Sequence, residues 1–281
     1  MKGGNMSLKT RVRNFIQYLK FGGITEVKIA TPMRLDSNHL ENKVILIVGG
    51  TSGIGKAITN ALSQSGAKTI ITGRDQKRVD LVADSIENCK GIAWDITNYD
   101  LSDDMILKCK SIFGEIDVLV NCAGVFDKRL IEDVSVDEYD RIMGTNLKGM
   151  YFNTQAFIKH ADPSQENKKK ILNILSINSY ISHSHPYALS KWAGLGLTKG
   201  LAKELYKKNI IVNAVAPGIT VSGISEDNNR DPDGNLYYYG TRSHHMMRPE
   251  QIANVALFLI SDFSEGIVGQ VISVDDGDTL L

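Results

Sequence analysis

The chain has 281 residues, 42% of them hydrophobic and 23% charged, with 32 basic and 32 acidic side chains. A chain of this length buries enough surface to need no disulfide or metal staple, and a formal net charge of zero argues against a protein that grips nucleic acid through a basic surface. Cys89, Cys109 and Cys122 form no C-x-x-C pair and read as reduced thiols of a cytoplasmic protein with no metal site, and no apolar run approaches the roughly 18 residues of a membrane span.

In chain order, residues 1–43 stand apart as an N-terminal extension. Eight bases against three acids give it a net charge of +5 and leave −5 on the remainder. Residues 7–20 read as a basic amphipathic helix with Leu8, Val12, Phe15, Ile16 and Leu19 on one side. Such a face docks on the body or on a neighbouring subunit, or meets an anionic partner or membrane surface. From residue 44 the pattern alternates. Short apolar runs at 44–48, 69–72, 91–94, 116–120, 171–175, 210–215 and 270–274 predict seven strands. Helical spacing at 54–65, 76–86, 101–113, 136–160, 187–207 and 249–261 fills the intervals. Apolar strands alternating with crossover helices predict one α/β domain over 44–281, a Rossmann-type, doubly wound, seven-stranded parallel sheet covered on both faces. The irregular stretch 219–247, rich in Asp, Asn and Tyr, reads as a substrate lid.

Three places carry chemistry. After the first strand comes Gly49-Gly50-Thr51-Ser52-Gly53-Ile54-Gly55 and then a helix. Glycines let the backbone turn sharply and approach a diphosphate, whose charge sits at the positive helix N-terminus. A tight turn alone would also use glycine; its place after the first strand of an alternating pattern points to a dinucleotide. At the end of the second strand stand Arg74 and Asp75. An arginine there pairs with the 2′-phosphate of NADP, so NADP is favoured, and the acid one residue on leaves NAD open. Third, Tyr187 and Lys191 are one helical turn apart at the start of the helix that follows the fifth strand, on the edge where open sheets bind ligands. A cation about 4 Å from a phenol at an effective dielectric of ~20 lowers its pKa by near three units, with burial of the phenolate opposing. Ser176, where that strand ends, offers a hydroxyl to a substrate carbonyl, with Ser179 as the alternative.

With these residues in view the chain resembles the short-chain dehydrogenase/reductase (SDR) family, in its compact single-domain subgroup, from about residue 40 to 281. The glycine turn matches, with Val48 where the family has threonine. Trp94-Asp95-Ile96 resembles the segment that holds the adenine. Asn121-Cys122-Ala123-Gly124 resembles the family's N-N-A-G, with cysteine in place of the second asparagine. Asn146, Ser176, Tyr187 and Lys191 resemble the catalytic tetrad, and Pro217, Gly218 and Thr220 lie in what resembles the turn beside the nicotinamide. The step from Ser176 to Tyr187 is about two residues shorter than usual, and Asp276 stands where the terminal motif has glycine.

The resemblance implies NAD(P)-dependent hydride transfer between a ketone and a secondary alcohol. Tyr187 would exchange the proton, Lys191 would tune the phenol and bond the nicotinamide ribose, Ser176 would polarise the carbonyl, and Asn146 would hold a water. It also implies a homodimer or homotetramer, a small-molecule carbonyl or alcohol substrate and a cytoplasmic enzyme. The lid's mixture of polar residues with Tyr237, Tyr238 and Tyr239 suits a sugar or polyol. The basic extension suits an acidic acyl carrier protein, which makes a 3-oxoacyl-[acyl-carrier-protein] reductase the alternative. Enoyl reductases of the family space their Tyr and Lys by six residues, against three here. Outside enzymes, a non-catalytic NADP-binding sensor or scaffold remains, although such a protein needs neither Tyr187 nor Ser176.

Overall fold

The computed structural model describes residues 39–162, 168–224, 231, 236–238 and 240–280. The chain divides into units 1–34 and 35–281, and every described residue lies in the second. The helix expected over 7–20 therefore lies outside the described residues, as do lid residues 225–230, 232–235 and 239.

Among the described residues there are seven strands: β1 (Val44–Val48), β2 (Lys68–Gly73), β3 (Cys89–Ala93), β4 (Val118–Asn121), β5 (Lys169–Ile174), β6 (Ile210–Pro217) and β7 (Val271–Val274). They form one sheet in the order β3-β2-β1-β4-β5-β6-β7, every pair parallel. The order reverses between β1 and β4, and that reversal opens a crevice at the strands' C-terminal ends. The helices are α1 (Gly53–Gln64), α2 (Gln76–Asp84), α3 (Ser102–Phe113), α4 (Val136–Met143), α5 (Met150–His160), α6 (Pro186–Leu205) and α7 (Pro249–Ile260).

The strand pleat sorts the core into two halves. Along β1, Ile45 and Ile47 point to one face, where α1, α2 and α7 bury Ile58, Leu62, Val82, Ala253 and Leu259. Val44, Leu46 and Val48 point to the other, against Ile106 of α3, Phe157 of α5 and Leu205 of α6. At roughly 1.5–3 kcal/mol for each fully buried large apolar side chain, this two-sided burial fixes register, because a one-residue slip would exchange the faces. Leu40 is 1% exposed within the first half and its N–H donates to the Ser65 carbonyl at 3.1 Å, so the packed body begins before β1.

The helix expected over 136–160 is interrupted. Between α4 and α5, residues Gly144–Gly149 form a π-helical stretch that contains Asn146. Such an insertion re-aims a side chain within a helix and often occurs at functional sites. The ends of the lid are tied together: Thr220 and Met247 form a parallel bridge, and Val221 N–H donates to the Met247 carbonyl at 3.0 Å. Its C-terminal limb is fastened to the chain's tail. Arg242 bonds Asp278 and the Leu280 carbonyl, and His245 pairs with Asp276 at 3.3 Å. Asp276 takes this position at φ 53°.

Candidate active site

One cleft of about 520 Å³ runs over the C-terminal ends of the strands. Its floor is the turn between β1 and α1. Gly49 has φ 88°, and a Cβ there would come 2.6 Å from the Ala123 nitrogen. At Gly55 a Cβ would lie 2.0 Å from the Gly49 carbonyl oxygen. Only glycine lets the turn close this tightly against β4 and α1. Ser52 occupies the N-cap of α1 without bonding through its side chain, and no acidic residue lies in the first turn. The helix therefore presents unsatisfied N–H groups and its positive end to the cleft, the arrangement that holds a phosphate.

At the end of β2, Arg74 and Arg78 both line the cleft. Asp75 is the N-cap of α2, and its carboxylate accepts from Arg78 N–H at 3.1 Å. The acid is thus engaged in starting a helix while lining the same corner, which holds two cations and one carboxylate. Across the cleft Asp95 accepts from Thr97 N–H at 2.9 Å and from its hydroxyl at 2.7 Å, which shapes the turn that places Ile96 in the wall.

The acid–base group lies where β5 ends and α6 begins. Ser176 caps the short turn Ile177–Ser179, its Oγ accepting from Asn178 N–H at 3.2 Å, and its hydroxyl also reaches the Tyr187 phenol. Ser179 is engaged elsewhere, donating to the Lys191 carbonyl at 2.9 Å. Lys191 Nζ donates to the Ile174 carbonyl at 3.0 Å and lies 5.6 Å from the centre of the Tyr187 ring. Asn146 accepts from Val125 N–H at 2.8 Å and donates to the Val125 carbonyl at 2.9 Å and to Ser190 Oγ at 3.2 Å. Both amide hydrogens are used, and one Oδ1 lone pair remains.

Burial sets the titration of this group. It pushes the Tyr187 phenol above its ordinary range, partly opposed by the Ser176 bond. It drives the Lys191 ammonium down to about 8, opposed by neighbouring Cys122, whose own thiol burial pushes up to about 12. From the four-residue spacing alone, the cation is expected to take the larger part in setting the phenol's pKa. In the structure desolvation of the phenolate is the largest cause and Ser176 the one that opposes it, so Tyr187 keeps its proton at neutral pH.

Residues 48–279 match a family model described as enoyl-(acyl carrier protein) reductase. A 3-oxoacyl-[acyl-carrier-protein] reductase of Thermotoga maritima is 34% identical over 248 residues, which cover 85% of this chain and 98% of that one. The protein of the same name from Aquifex aeolicus is 33% identical over 245 residues, with the same coverage. The crystal structure of a short-chain type dehydrogenase/reductase from Mycobacterium marinum is 29% identical, with a TM-score of 0.80 over 88% of this chain and 99% of that one. The chain belongs to the short-chain dehydrogenase/reductase family. It is an oxidoreductase acting on CH–OH and C=O groups with a nicotinamide dinucleotide.

Against that SDR frame, the cleft wall contains Gly49, Thr51, Ser52, Gly53, Ile54, Gly55, Arg74, Asp95, Ile96, Ala123, Gly124, Ser176, Tyr187, Lys191, Pro217, Gly218 and Thr220. Asn121 and Asn146 do not line it. Asn146 stands behind Gly124, where a Cβ would come 3.5 Å from its Oδ1 and 3.9 Å from Lys191 Nζ. Asn121 points into the core. Its amide donates to Thr154 Oγ1 and Asn173 Oδ1, both at 2.9 Å, and its oxygen accepts from Asn153 at 2.7 Å. Its side chain thus joins three elements, and only its backbone is near the cleft. Sequence reasoning did not single out Arg78, Phe126, Arg141 or Thr145, all of which line the cleft. Thr145 precedes Asn146 on the π-helical stretch and Arg141 is one turn earlier, a helical signal that the asparagine could have extended.

Proposed function

We propose that the chain interconverts a ketone and a secondary alcohol with NADP(H), with Tyr187 as the group that exchanges the proton. The observation that carries this is one cleft in which a protonated, buried phenol within reach of the Ser176 hydroxyl shares a wall with an uncapped, acid-free helix end. The glycine turn and that helix end fit a diphosphate, and the Arg74–Arg78 corner fits a 2′-phosphate. When bound, the nicotinamide supplies or accepts the hydride.

The chain's own residues do the rest. Ser176 donates to the carbonyl oxygen and orients it toward Tyr187. Tyr187 Oη gives its proton to the oxygen as negative charge develops there in reduction, and takes it back in oxidation. Lys191 spends one of three N–H donors on Ile174 and keeps its positive charge below the phenol, where it stabilises the phenolate left behind. Asn146 braces Val125 and α6, and its remaining lone pair is free to accept from a water leading from Lys191. The four-residue step from Tyr187 to Lys191 favours a carbonyl over an enoyl substrate.

A second reading has specific support: two relatives are named as 3-oxoacyl-[acyl-carrier-protein] reductases, which would make the ketone a 3-oxoacyl thioester. We place the enzyme in the cytoplasm, in keeping with three unpaired thiols, and expect a homodimer or homotetramer. The deciding assay is a panel of small ketones, polyol-derived ketones and 3-oxoacyl thioesters with NADPH and NADH in parallel. Turnover with NADPH at least tenfold better than NADH supports the reading. Cofactor binding with no turnover on any ketone would favour the sensor. Arg74→Ala should raise KM for NADPH by about 10- to 100-fold, the loss of a charge-assisted phosphate contact, and leave KM for NADH nearly unchanged.

A further inference from the structure

We propose that His185 is a positioning residue for Tyr187: its neutral imidazole caps α6 and stacks on the phenol ring, so that protonating it disarms the site. The inference rests on the catalytic reading of Tyr187.

Helix α6 starts with Pro186, and its first-turn Ala188 N–H donates to His185 Nδ1 at 3.2 Å. Histidine is an unusual cap. Serine, threonine, asparagine and aspartate do this best, and Ser182 and Ser184 stand within three residues. What histidine adds is a ring. It stacks on Tyr187 with centroids 6.2 Å apart and planes 21° apart, and His183 stacks on it at 5.2 Å and 26°. Phe126 meets Tyr187 edge-on at 4.8 Å and 78°. The phenol therefore contacts two rings, one of which is also the cap of its own helix.

A neutral imidazole that accepts at Nδ1 carries its proton on Nε2. A second proton must go to Nδ1, where it would face the Ala188 N–H. It would also place positive charge at a helix N-terminus, which the helix dipole disfavours. Both effects fall on the turn that holds Tyr187. Among the described residues, the titratable groups around His185 are His183 from the same loop, Tyr187 from the helix, and Asp127 from the segment after β4. Asp127 is itself paired with Arg129 at 3.3 Å. Burial, then His183, lower the imidazole's pKa, against Asp127. The fold thus favours the neutral ring at neutral pH.

The experiment is kcat for ketone reduction, at saturating NADPH and ketone, across about pH 5–9, in the wild type, His185→Asn and His185→Ala, with melting curves at each pH. Asparagine caps a helix but does not titrate. Wild-type kcat should fall on the acid side of about pH 6.5 while the protein remains folded. His185→Asn should flatten that limb. His185→Ala should lower kcat about fivefold at neutral pH through loss of the cap, with asparagine recovering most of it. An acid limb unchanged in His185→Asn overturns the proposal. A readout independent of turnover is the Tyr187 ring resonance, which should shift with His185 protonation in the wild type and stay fixed through that range in His185→Asn. If the rings titrate together but no ketone is reduced, the catalytic reading fails and the positioning role stands. If the Tyr187 resonance moves identically in both proteins, the positioning role fails.

Discussion

At the start of β5, on the edge of the sheet away from the cleft, Lys169 and Lys170 are buried side by side; at the cleft edge α6 buries Lys191. Lys169 is paired, its Nζ 3.0 Å from Asp117 Oδ1, and the other Asp117 oxygen accepts from Val44 N–H. Lys170 donates to the Ser261 carbonyl at 2.5 Å, with Asp262 at 4.0 Å, and burial drives it down to about 8. Lys191 has a carbonyl partner, is paired with no carboxylate among the described residues, and is also driven down to about 8. Two lysines at opposite edges thus share a depressed pKa, and only one shares a cleft with a phenol, a hydroxyl and an open helix end. A perturbed pKa suggests a site only together with what surrounds it.

Substitutions separate the two edges, and the largest effect is expected at the cleft. Lys191→Met should lower kcat by about 10²- to 10³-fold, within the range of acid–base catalysis, while melting temperature changes little. Lys169→Ala should do the reverse. It leaves the partly buried Asp117 without its cation and should cost about 2–3 kcal/mol in urea unfolding, with kcat nearly unchanged. Asn121→Ala, which breaks the bonds to Thr154, Asn173 and Asn153, should cost about 2 kcal/mol. It should change cofactor affinity by no more than about twofold, because its side chain faces away from the cleft.

The smallest effect is expected at Lys170. Its folded pKa lies below the unfolded value of 10.5, so between about 8 and 10.5 the unfolded chain holds more protons and stability rises with pH. The benefit is lost as pH falls through about 8. Lys191 acts in the same direction. Lys170→Met should flatten roughly half of that rise in melting temperature while shifting neutral-pH stability by only about 1 kcal/mol, because losing a buried charge and leaving the Ser261 carbonyl unpaired oppose each other.

The comparison also shows what sequence can reveal. The alternation of apolar runs with helical spacing was sufficient for the sheet, because covered parallel strands are apolar on both faces. The expected span 44–48 is β1 itself, and most other ends differ by one or two residues. The glycine turn and the Tyr187–Lys191 step were legible because both are local in sequence. Lys169 and Lys170 were not. They precede a strand expected at 171, and their partners, Asp117 and Ser261, lie 52 and 91 residues away. The direction of the Asn121 side chain is hidden for a similar reason. Resemblance supplied its position at the end of β4, whereas the direction of its amide depends on partners on α5 and β5. The π-helical turn at Asn146 leaves little trace in an apolar pattern, since it shifts the helix by a single residue.

The pH dependence of the two directions sharpens the account of the phenol. Tyr187 is held above its ordinary range and Lys191 down to about 8, so reduction, which uses the protonated phenol and the charged amine, should fall as pH rises through about 8, with Lys191 rather than the phenol setting that limb. Oxidation, which needs the phenolate, should climb with pH over the same interval.

The most direct test is Tyr187→Phe, assayed for ketone reduction beside a fluorescence titration with NADPH. The phenyl ring keeps its packing against Phe126 and His185 and loses only the hydroxyl. Turnover should fall by about 10³-fold or more, with NADPH affinity within about twofold of the wild type. A variant that retains turnover within tenfold, with cofactor still bound, would contradict the assignment of Tyr187 as the proton donor.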